Sequence, residues 1–264
     1  MPRFYKIAEV ISEQVLSKLN TELEQRVLAR TAELERANED LEAYAHSVAH
    51  DLRAPLRALF GFSKALREDY GDRLDEEGRE FTEFIESAAV QMDVLTSDLL
   101  EYSKVGGSKM LIDNVDLDEV VERSLTQLES DIAKFAPLIH VDSPLGFVRG
   151  HRSTIVQVIS NLLANAMKFV SPDVKPEIRI STEMKPGSIR LSVQDNGIGI
   201  SPEFHSKIFR VFERLHGIET YPGTGIGLAI VRRAVESMDG EFGVESNPGE
   251  GSRFWIELPA GEMI

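Results

Sequence analysis

The sequence has 264 residues, of which 42% are hydrophobic and 28% charged, and its net charge is −15. This length allows one large domain or two ordinary ones, and the composition is typical of a globular protein. The negative charge argues against nucleic-acid binding, because phosphate backbones require clustered Lys and Arg. Cysteine is absent, which excludes disulfides and thiolate metal sites.

Hydropathy gives no indication of a membrane segment. No apolar run approaches the roughly 18–20 residues that are needed to cross a bilayer. The first six residues lack the charged and apolar zones of a signal peptide. The sequence therefore predicts a cytoplasmic protein with no membrane span in this chain.

Residues 7–48 contain no Gly or Pro and are rich in Glu, Leu, Ala and Arg, which favours one long helix. Apolar residues follow one another in steps of three and four, interrupted at Asn20 and Arg30, which is typical of a coiled coil. The alternative is a monomeric amphipathic helix. The positions of this apolar seam are Leu16, Leu23, Val27, Leu34, Ala37, Leu41, Tyr44 and Val48.

The helical pattern continues to about Glu68, and Pro55 should kink the helix rather than end it. A turn follows at 70–73, and Asp75 is a candidate N-cap for a second helix that runs to about Lys104. Both arms of this helical hairpin have an apolar face. Since two arms alone bury little, we expect two copies to pair into a four-helix bundle as a homodimer. On the second arm the apolar face comprises Phe81, Phe84, Ile85, Ala88, Met92, Leu95 and Leu99.

After a linker at 105–108, helical patterns alternate with short strand-like runs. We expect an α+β sandwich, with helices on one face of a mixed sheet. The predicted domains are a coiled-coil helix (1–40), a helical-hairpin domain (41–105) and an α/β domain (110–260). The predicted helices are 117–134, 151–169 and 225–239, and the predicted strands are 138–142, 177–182, 189–194, 241–245 and 253–258.

Two glycine-rich stretches lie at 195–200 and 223–228. Glycines at alternate positions let the backbone approach a ligand closely, and a helix N-terminus offers free N–H groups to phosphate. The second stretch is not a dinucleotide fingerprint, since it lacks the strand–turn–helix unit with an acidic residue about 20 positions further on. It is not a P-loop either, since Gly-Lys-Ser/Thr is absent. Each stretch alone is a weak signal.

The helix predicted at 151–169 adds polar residues to these loops. Asn161, Asn165 and Lys168 lie at i, i+4 and i+7, on one face. Amide oxygens suit Mg²⁺ and an ammonium suits a polyphosphate. For this helix alone, solvated surface amides are an equally good interpretation.

In order along the chain, these motifs and the pair Phe209 and Phe212 resemble the ATP-binding boxes of the histidine kinases. Their superfamily includes gyrase, MutL and the heat-shock chaperone ATPases. The segment 47–56, Ser-Val-Ala-His-Asp-Leu-Arg-Ala-Pro-Leu, resembles the phosphoacceptor box of the kinase branch alone. The resemblance covers roughly 41–258. Residues 23–42 are loosely similar to the signalling helix that joins such kinases, bacterial phytochromes included, to sensor domains.

The resemblance implies a site for ATP and Mg²⁺ in the α/β domain. Asp195 would accept a hydrogen bond from the adenine amino group, and Asn165 would be the Mg²⁺ ligand. Residues 200–224 would form a lid, which Phe209 and Phe212 anchor unless they are plain core residues. The implied nucleotide-binding residues are Asn161, Asn165, Lys168, Phe169, Asp195, Gly197, Gly199, Arg214, Gly223, Thr224, Gly225, Gly227 and Leu228.

The resemblance also implies that His50 is the phosphorylated nucleophile, through Nε2. Asp51 would accept a hydrogen bond from the other ring nitrogen and fix the tautomer. The pair His46 and His50 could instead bind a metal, but a third ligand and a His-Glu-x-x-His pattern are missing.

The function implied by the resemblance is autophosphorylation of a histidine, followed by transfer of the phosphoryl group to the aspartate of a response-regulator receiver domain. An upstream sensor domain or sensor protein would control it. Two alternatives are an ATPase of the gyrase or chaperone type, which needs a further transducer domain, and a non-catalytic dimeric scaffold. Many relatives have Thr or Asn four residues after the phosphoacceptor, where this chain has Ala54. A methyl group cannot orient the water that dephosphorylates a regulator, so we expect weak phosphatase activity.

Overall fold

The computed structural model describes residues 2–104, 111–215, 221 and 223–262. It divides into two compact units, 1–47 and 48–264. The domain boundaries given above from the sequence stay a prediction. Among the helices in these described ranges, none is both long and apolar enough to cross a membrane.

Helix α1 (Pro2–Tyr70) is continuous and includes Pro55, as the sequence predicts. In the first unit, Leu23, Val27 and Tyr44 of the predicted apolar seam are more than half exposed. Leu16, Leu34 and Leu41 lie outside the side chains that are described. The coiled coil therefore stays a prediction.

A 3₁₀ turn (Gly71–Arg73) joins α1 to helix α2 (Glu76–Lys104). The predicted N-cap is confirmed, because the Gly78 backbone N–H donates to Asp75 Oδ1 at 2.8 Å. An ion pair between Arg67 and Glu86, at 3.0 Å, links the two arms of the hairpin. Phe62, 73% exposed, and Phe84, 70% exposed, leave much of the hairpin's apolar surface uncovered within one chain.

Leu95 differs from the other members of the predicted apolar face of α2. It is half-buried and packs against the core of the α/β region. The place of Leu95 on a face that pairs with a second copy stays a prediction. Helical spacing identified an apolar stripe but could not indicate which neighbour covers each part of it.

The α/β region has a five-stranded sheet in the order β2-β4-β5-β7-β6 and a two-stranded sheet of β1 and β3. Strand β2 is parallel to β4, and the other neighbours in the large sheet are antiparallel, so the predicted mixed sheet is confirmed. The sequence analysis missed β1 and β3, which have four residues each. The strands are β1 (Asp113–Asp116), β2 (Leu138–Val141), β3 (Phe147–Gly150), β4 (Glu177–Lys185), β5 (Ser188–Asp195), β6 (Glu241–Ser246) and β7 (Ser252–Pro259).

Four helices complete this region. The helix predicted over 117–134 is two helices, because the chain leaves helical geometry at Leu128. The helix predicted to begin at 225 begins two residues later, after Ile226. The observed helices are α3 (Leu117–Gln127), α4 (Glu129–Phe135), α5 (Arg152–Lys168) and α6 (Gly227–Glu236).

Helix α5 lies at the centre of the core. Its side chains Ile155, Ile159 and Leu163 are fully buried, and it packs against α3, α6 and the strands β4 and β5. Alternate residues of β5 and β7 point into the same core, which gives the period-two burial of a sheet covered on one face.

A half-buried polar cluster on β4, β5 and β7 surrounds Glu257. Its carboxylate accepts hydrogen bonds from Ser188 Oγ at 2.6 Å, Lys185 Nζ at 3.0 Å and Arg190 Nε at 2.9 Å. These hydrogen bonds, that of Ser188 first, lower the pKa of Glu257 to about 2. The Arg190 guanidinium also lies 3.7 Å from the centroid of the Trp255 ring. The cluster thus joins three neighbouring strands through one carboxylate.

We predict that Glu257→Gln lowers the free energy of unfolding at pH 7 and changes its acid dependence. A depressed carboxyl pKa contributes stability above the unfolded-state value of 4.5 that is lost as the pH falls towards about 2. Urea unfolding at several pH values measures the difference between wild type and variant. That difference should be constant at neutral pH and shrink below about pH 4.5. The matched control is Glu241→Gln, an exposed residue opposite Glu257 on β6; equal effects of the two substitutions would contradict the prediction.

Candidate functional site

A cavity of about 270 Å³ lies among α5, the loop after β5, the segment before α6, and α2. With the exception of Gly197, all the nucleotide-binding residues predicted from the sequence line it. Those residues are Asn161, Asn165, Lys168, Phe169, Asp195, Gly199, Arg214, Gly223, Thr224, Gly225, Gly227 and Leu228. Four separate segments of sequence therefore converge on one space.

The face of α5 opposite its buried side chains forms one wall of the cavity. Asn161 Nδ2 donates to the carbonyl oxygen of Gln157 at 3.0 Å, which directs the amide oxygen of Asn161 towards Gly227. One and two turns further on, Asn165 and Lys168 continue the polar face. Helical periodicity thus places two amides and an ammonium along a single line.

Asp195 ends β5 at another wall of the cavity. Its Oδ1 accepts hydrogen bonds from the backbone N–H groups of Gly197 at 2.8 Å and Ser252 at 3.0 Å. Its Oδ2 makes none of the hydrogen bonds between the described residues. Burial raises the pKa of Asp195 to about 6, against the effect of the two backbone donors. A carboxylate oxygen is therefore available to a donor on a ligand.

The two predicted glycine loops approach other backbone closely. Gly199 has φ +71°, and a Cβ there would collide with the carbonyl oxygen of Asn247. A Cβ on Gly197 would meet the carbonyl oxygen of Phe169, although Gly197 does not line the cavity. Gly197 thus acts through the packing of its loop.

Cations lie at the end of the cavity nearest α6. Arg214 donates to the carbonyl oxygens of Gly223 at 2.7 Å and Tyr221 at 3.0 Å. Burial, and then the neighbouring charge of Arg214, lower the pKa of Lys168 to about 8, while Asp98 acts in the opposite direction. Two cations close together in a half-buried space favour an anionic ligand.

The two phenylalanines of the predicted lid have different environments. Phe209 is buried, and its ring centroid lies 4.8 Å from that of Phe242. Phe212 is 58% exposed and has φ +64°, so it is not a core residue or an apolar anchor. Its backbone N–H instead donates to the carbonyl oxygen of Gly225 at 3.1 Å. The part of the lid at 216–220, together with Pro222, lies outside the described residues.

His50 and Asp51 lie on α1 and do not line the cavity. The two side chains are three-quarters exposed, and His50 Nδ1 lies 3.2 Å from Asp51 Oδ1. This contact leaves Nε2 as the ring nitrogen that is open to a reaction partner. The side chain of His46 lies outside the described part of the chain, so the proposed pair with His50 is not tested.

Sequence reasoning missed several residues of the cavity. Val94 and Asp98 come from α2, and Tyr221 and Ser252 from segments beside the glycine loops. Tyr221 is 5.3 Å from Phe169 between ring centroids, and its hydroxyl donates to the carbonyl oxygen of Val170 at 3.2 Å. An acidic residue on a helical hairpin carries no periodic signal that would assign it to this site.

Two families match the chain. Residues 40–108 match the His Kinase A (phospho-acceptor) domain. Residues 150–262 match the histidine kinase-, DNA gyrase B-, and HSP90-like ATPase domain. The cavity residues from Asn161 onwards fall in the second match, and His50 falls in the first.

Curated relatives agree with both matches. The phytochrome-like protein Cph1 of Synechocystis is 38% identical over 86% of this chain, which spans 30% of the length of Cph1. The sensor protein GacS of Pseudomonas syringae is 32% identical over 88% of this chain, which spans 26% of GacS. The chain therefore corresponds to less than a third of the length of these relatives.

A solved structure shows the same fold. Full-length ShkA in complex with AMPPNP has a TM-score of 0.62 and 24% identity, over 84% of this chain and 47% of ShkA. The phosphoacceptor match separates this chain from the gyrase and chaperone branches, which the ATPase match alone would include. With a phosphoacceptor domain followed by an ATPase domain, the chain belongs to the histidine kinases.

Proposed function

We propose that this chain binds Mg²⁺·ATP in the cavity, transfers the γ-phosphoryl group to His50 and then passes it to an aspartate of a response-regulator receiver domain. The observation that carries this proposal is the arrangement of the cavity. A carboxylate, Asp195, lies at one wall, and the amides and cations of α5 and the lid lie at another. Such a division of polar groups fits a ligand with a base and a polyphosphate chain.

Asp195 and Phe169 would bind the adenine. The free Oδ2 of Asp195 accepts a hydrogen bond from the exocyclic amino group, while Oδ1 is held by Gly197 and Ser252. Phe169 packs beside the base, and Tyr221 supports it from the lid. The selectivity for adenine would follow from the acceptor-only chemistry of the carboxylate.

Asn161, Asn165, Lys168 and Arg214 would bind the phosphates. Amide oxygens fit Mg²⁺, and the remaining ligands would be phosphate oxygens and water, since the described residues contain no group of three or more His, Asp or Glu that could hold a metal. When bound, Mg²⁺ neutralises phosphate charge. Lys168 and Arg214 supply further positive charge, and the N–H groups around 223–227 cradle the phosphates.

His50 would attack through Nε2. The Nδ1–H donates to Asp51, which fixes the tautomer and makes Nε2 more basic. The Nε2 lone pair forms a bond to Pγ as the bond from Pγ to the bridging oxygen breaks, and ADP leaves with that electron pair. A receiver aspartate then takes the phosphoryl group from nitrogen. Positioning and charge neutralisation supply most of the catalysis.

The active form would be a homodimer under the control of an upstream sensor. Exposed apolar side chains on both arms of the hairpin, such as Phe62 and Phe84, support pairing into a four-helix bundle. Helix α1 would carry the signal to His50, because it is continuous from Pro2 to Tyr70 and contains His50.

We predict that His50→Gln abolishes the uptake of phosphoryl label from γ-labelled ATP. Label on the wild type should be acid-labile and base-stable, as expected for phosphohistidine. The affinity for ADP should not change, since His50 does not line the cavity. His46→Gln is the matched control and should retain labelling; stable label on the His50 variant would overturn the assignment.

We predict opposite effects of Asp195→Asn on binding and on stability. The affinity for ADP should fall by about 1–3 kcal/mol, through the loss of a hydrogen bond to a charged acceptor. Because the folded-state pKa is raised to about 6, the wild type loses stability as the pH rises from 3.8 through this value. The ligand-free variant should therefore unfold at a higher temperature than wild type at pH 8, with no advantage below about pH 4. Unchanged ADP affinity would remove Asp195 from the adenine site.

We predict weak phosphatase activity towards the phosphorylated regulator because Ala54 offers no hydrogen bond. Ala54 is exposed on α1, one helical turn after His50, so a larger polar side chain fits there. Ala54→Thr or Ala54→Asn should accelerate dephosphorylation in the absence of ADP, and Ala54→Val is the matched apolar control. Dephosphorylation by the unmodified chain far above the regulator's own decay would refute this.

A further inference from the structure

The C-terminal half of α2 lies against the ATPase domain. Leu95 and Tyr102 pack against its core. Gln157 Nε2 on α5 donates to Glu101 Oε2 at 3.1 Å, and the Arg233 guanidinium on α6 lies 4.9 Å from the centroid of the Tyr102 ring. Both the apolar and the polar contacts are therefore made by one side of α2.

Asp98 lies in the middle of this interface and reaches the cavity. Its Oδ2 accepts a hydrogen bond from Thr224 Oγ1, in the glycine loop before α6. Burial raises the pKa of the half-buried Asp98, while Thr224 and the charge of Lys168 lower it. The carboxylate is thus placed among the groups that the proposed function assigns to phosphate.

The groups around Asp98 that would bind phosphate are donors or cations, and together they are complementary to an anion. Lys168 Nζ lies directly beside Gly223, and Arg214 binds the Gly223 carbonyl oxygen at 2.7 Å. Thr224 offers a hydroxyl, and its loop leads into the N-terminus of α6. Asp98 is the acidic side chain that bonds to this set.

Resting on the proposed ATP site, we infer that Asp98 is a built-in substitute for nucleotide phosphate, and that the two compete for Thr224 and Lys168. A polyphosphate brings more negative charge to the same donors, and it repels the Asp98 carboxylate. Binding of ATP or ADP therefore loosens the contact between α2 and the ATPase domain.

The coupling is reciprocal. If nucleotide weakens the contact of α2 by a given factor, any movement of α2 away from the domain strengthens nucleotide binding by the same factor. The charge of Asp98 on α2 thus couples the position of the hairpin to the affinity of the ATP site. A signal that shifts the hairpin would then change nucleotide affinity without contact to the nucleotide.

Calorimetric titration of the His50→Gln chain with ADP and with adenosine tests this inference. Asp98→Asn retains a hydrogen-bond acceptor but removes the charge, so the affinity for ADP should rise roughly three- to thirtyfold. The affinity for adenosine should not change, since adenosine has no phosphate. Glu101→Ala weakens the same interface outside the cavity, so by the reciprocal coupling it should raise the affinity for ADP by a smaller factor than Asp98→Asn does and leave the affinity for adenosine unchanged.

Three outcomes would overturn the inference. One is an unchanged ADP affinity in Asp98→Asn, and another is an equal gain for adenosine. The third is a fall in ADP affinity that requires Mg²⁺, which would make Asp98 a metal ligand instead. If wild type binds neither ligand, the proposed ATP site itself fails, so the two failures are distinguishable.

A second measurement follows the interface directly. Since the chain has no cysteine, the pair Glu101→Cys and Gln157→Cys can be cross-linked specifically with a short bismaleimide. ADP should slow cross-linking, and adenosine should not. When Asp98→Asn is combined with the cysteine pair, ADP should have no effect on the rate of cross-linking. A rate that ADP leaves unchanged in the pair alone would contradict the competition.

Discussion

Helix α5 must bury its apolar side chains against the sheet, and this burial fixes the position of its polar face. Ile155, Ile159 and Leu163 are fully buried. Rotation of the helix by one residue, about 100°, would expose these side chains and bury Asn161 and Asn165 without partners. Such a change loses apolar burial and adds unsatisfied amides, each of which is unfavourable. The geometry of the cavity is therefore maintained by the hydrophobic core.

Three ionisable side chains of the cavity have pKa values that are shifted towards the neutral form. For Asp98, Lys168 and Asp195, burial is the largest cause of the pKa shift. A site evolved for stability alone would have paired or exposed these groups. Shifted groups that converge in a cleft are instead typical of functional sites. Glu257 illustrates the opposite case, since three donors lower its pKa and the carboxylate joins strands. The chain thus has a carboxylate that links strands, Glu257, and carboxylates in the cavity whose charged form is disfavoured by burial, Asp98 and Asp195.

The sequence predicted those features that depend on local periodicity or on a motif of fixed order. The strands β4 to β7, helix α5, the hairpin turn and the convergence of the cavity residues belong to this group. Phe212 was misjudged because an apolar residue in a motif need not be buried. It has a positive φ, and its backbone N–H donates to the carbonyl oxygen of Gly225. Strands β1 and β3 were missed because four residues carry too little pattern. The break at Leu128 was likewise hidden, since the apolar periodicity runs on across it.

Asp98 could not be assigned from the sequence for a different reason. Its place on α2 predicts a solvated helix face, and only the tertiary contact with Thr224 gives it a role. That contact also bears on the chemistry of His50. Because His50 does not line the cavity, the proposed transfer to His50 of the same chain requires the ATPase domain to move relative to the hairpin. The contacts of Leu95, Glu101 and Tyr102 must be exchanged in that movement. The Asp98 carboxylate lies within this interface and can link nucleotide binding to the exchange of contacts. When nucleotide phosphate displaces it from Thr224, the contact between α2 and the ATPase domain is weakened.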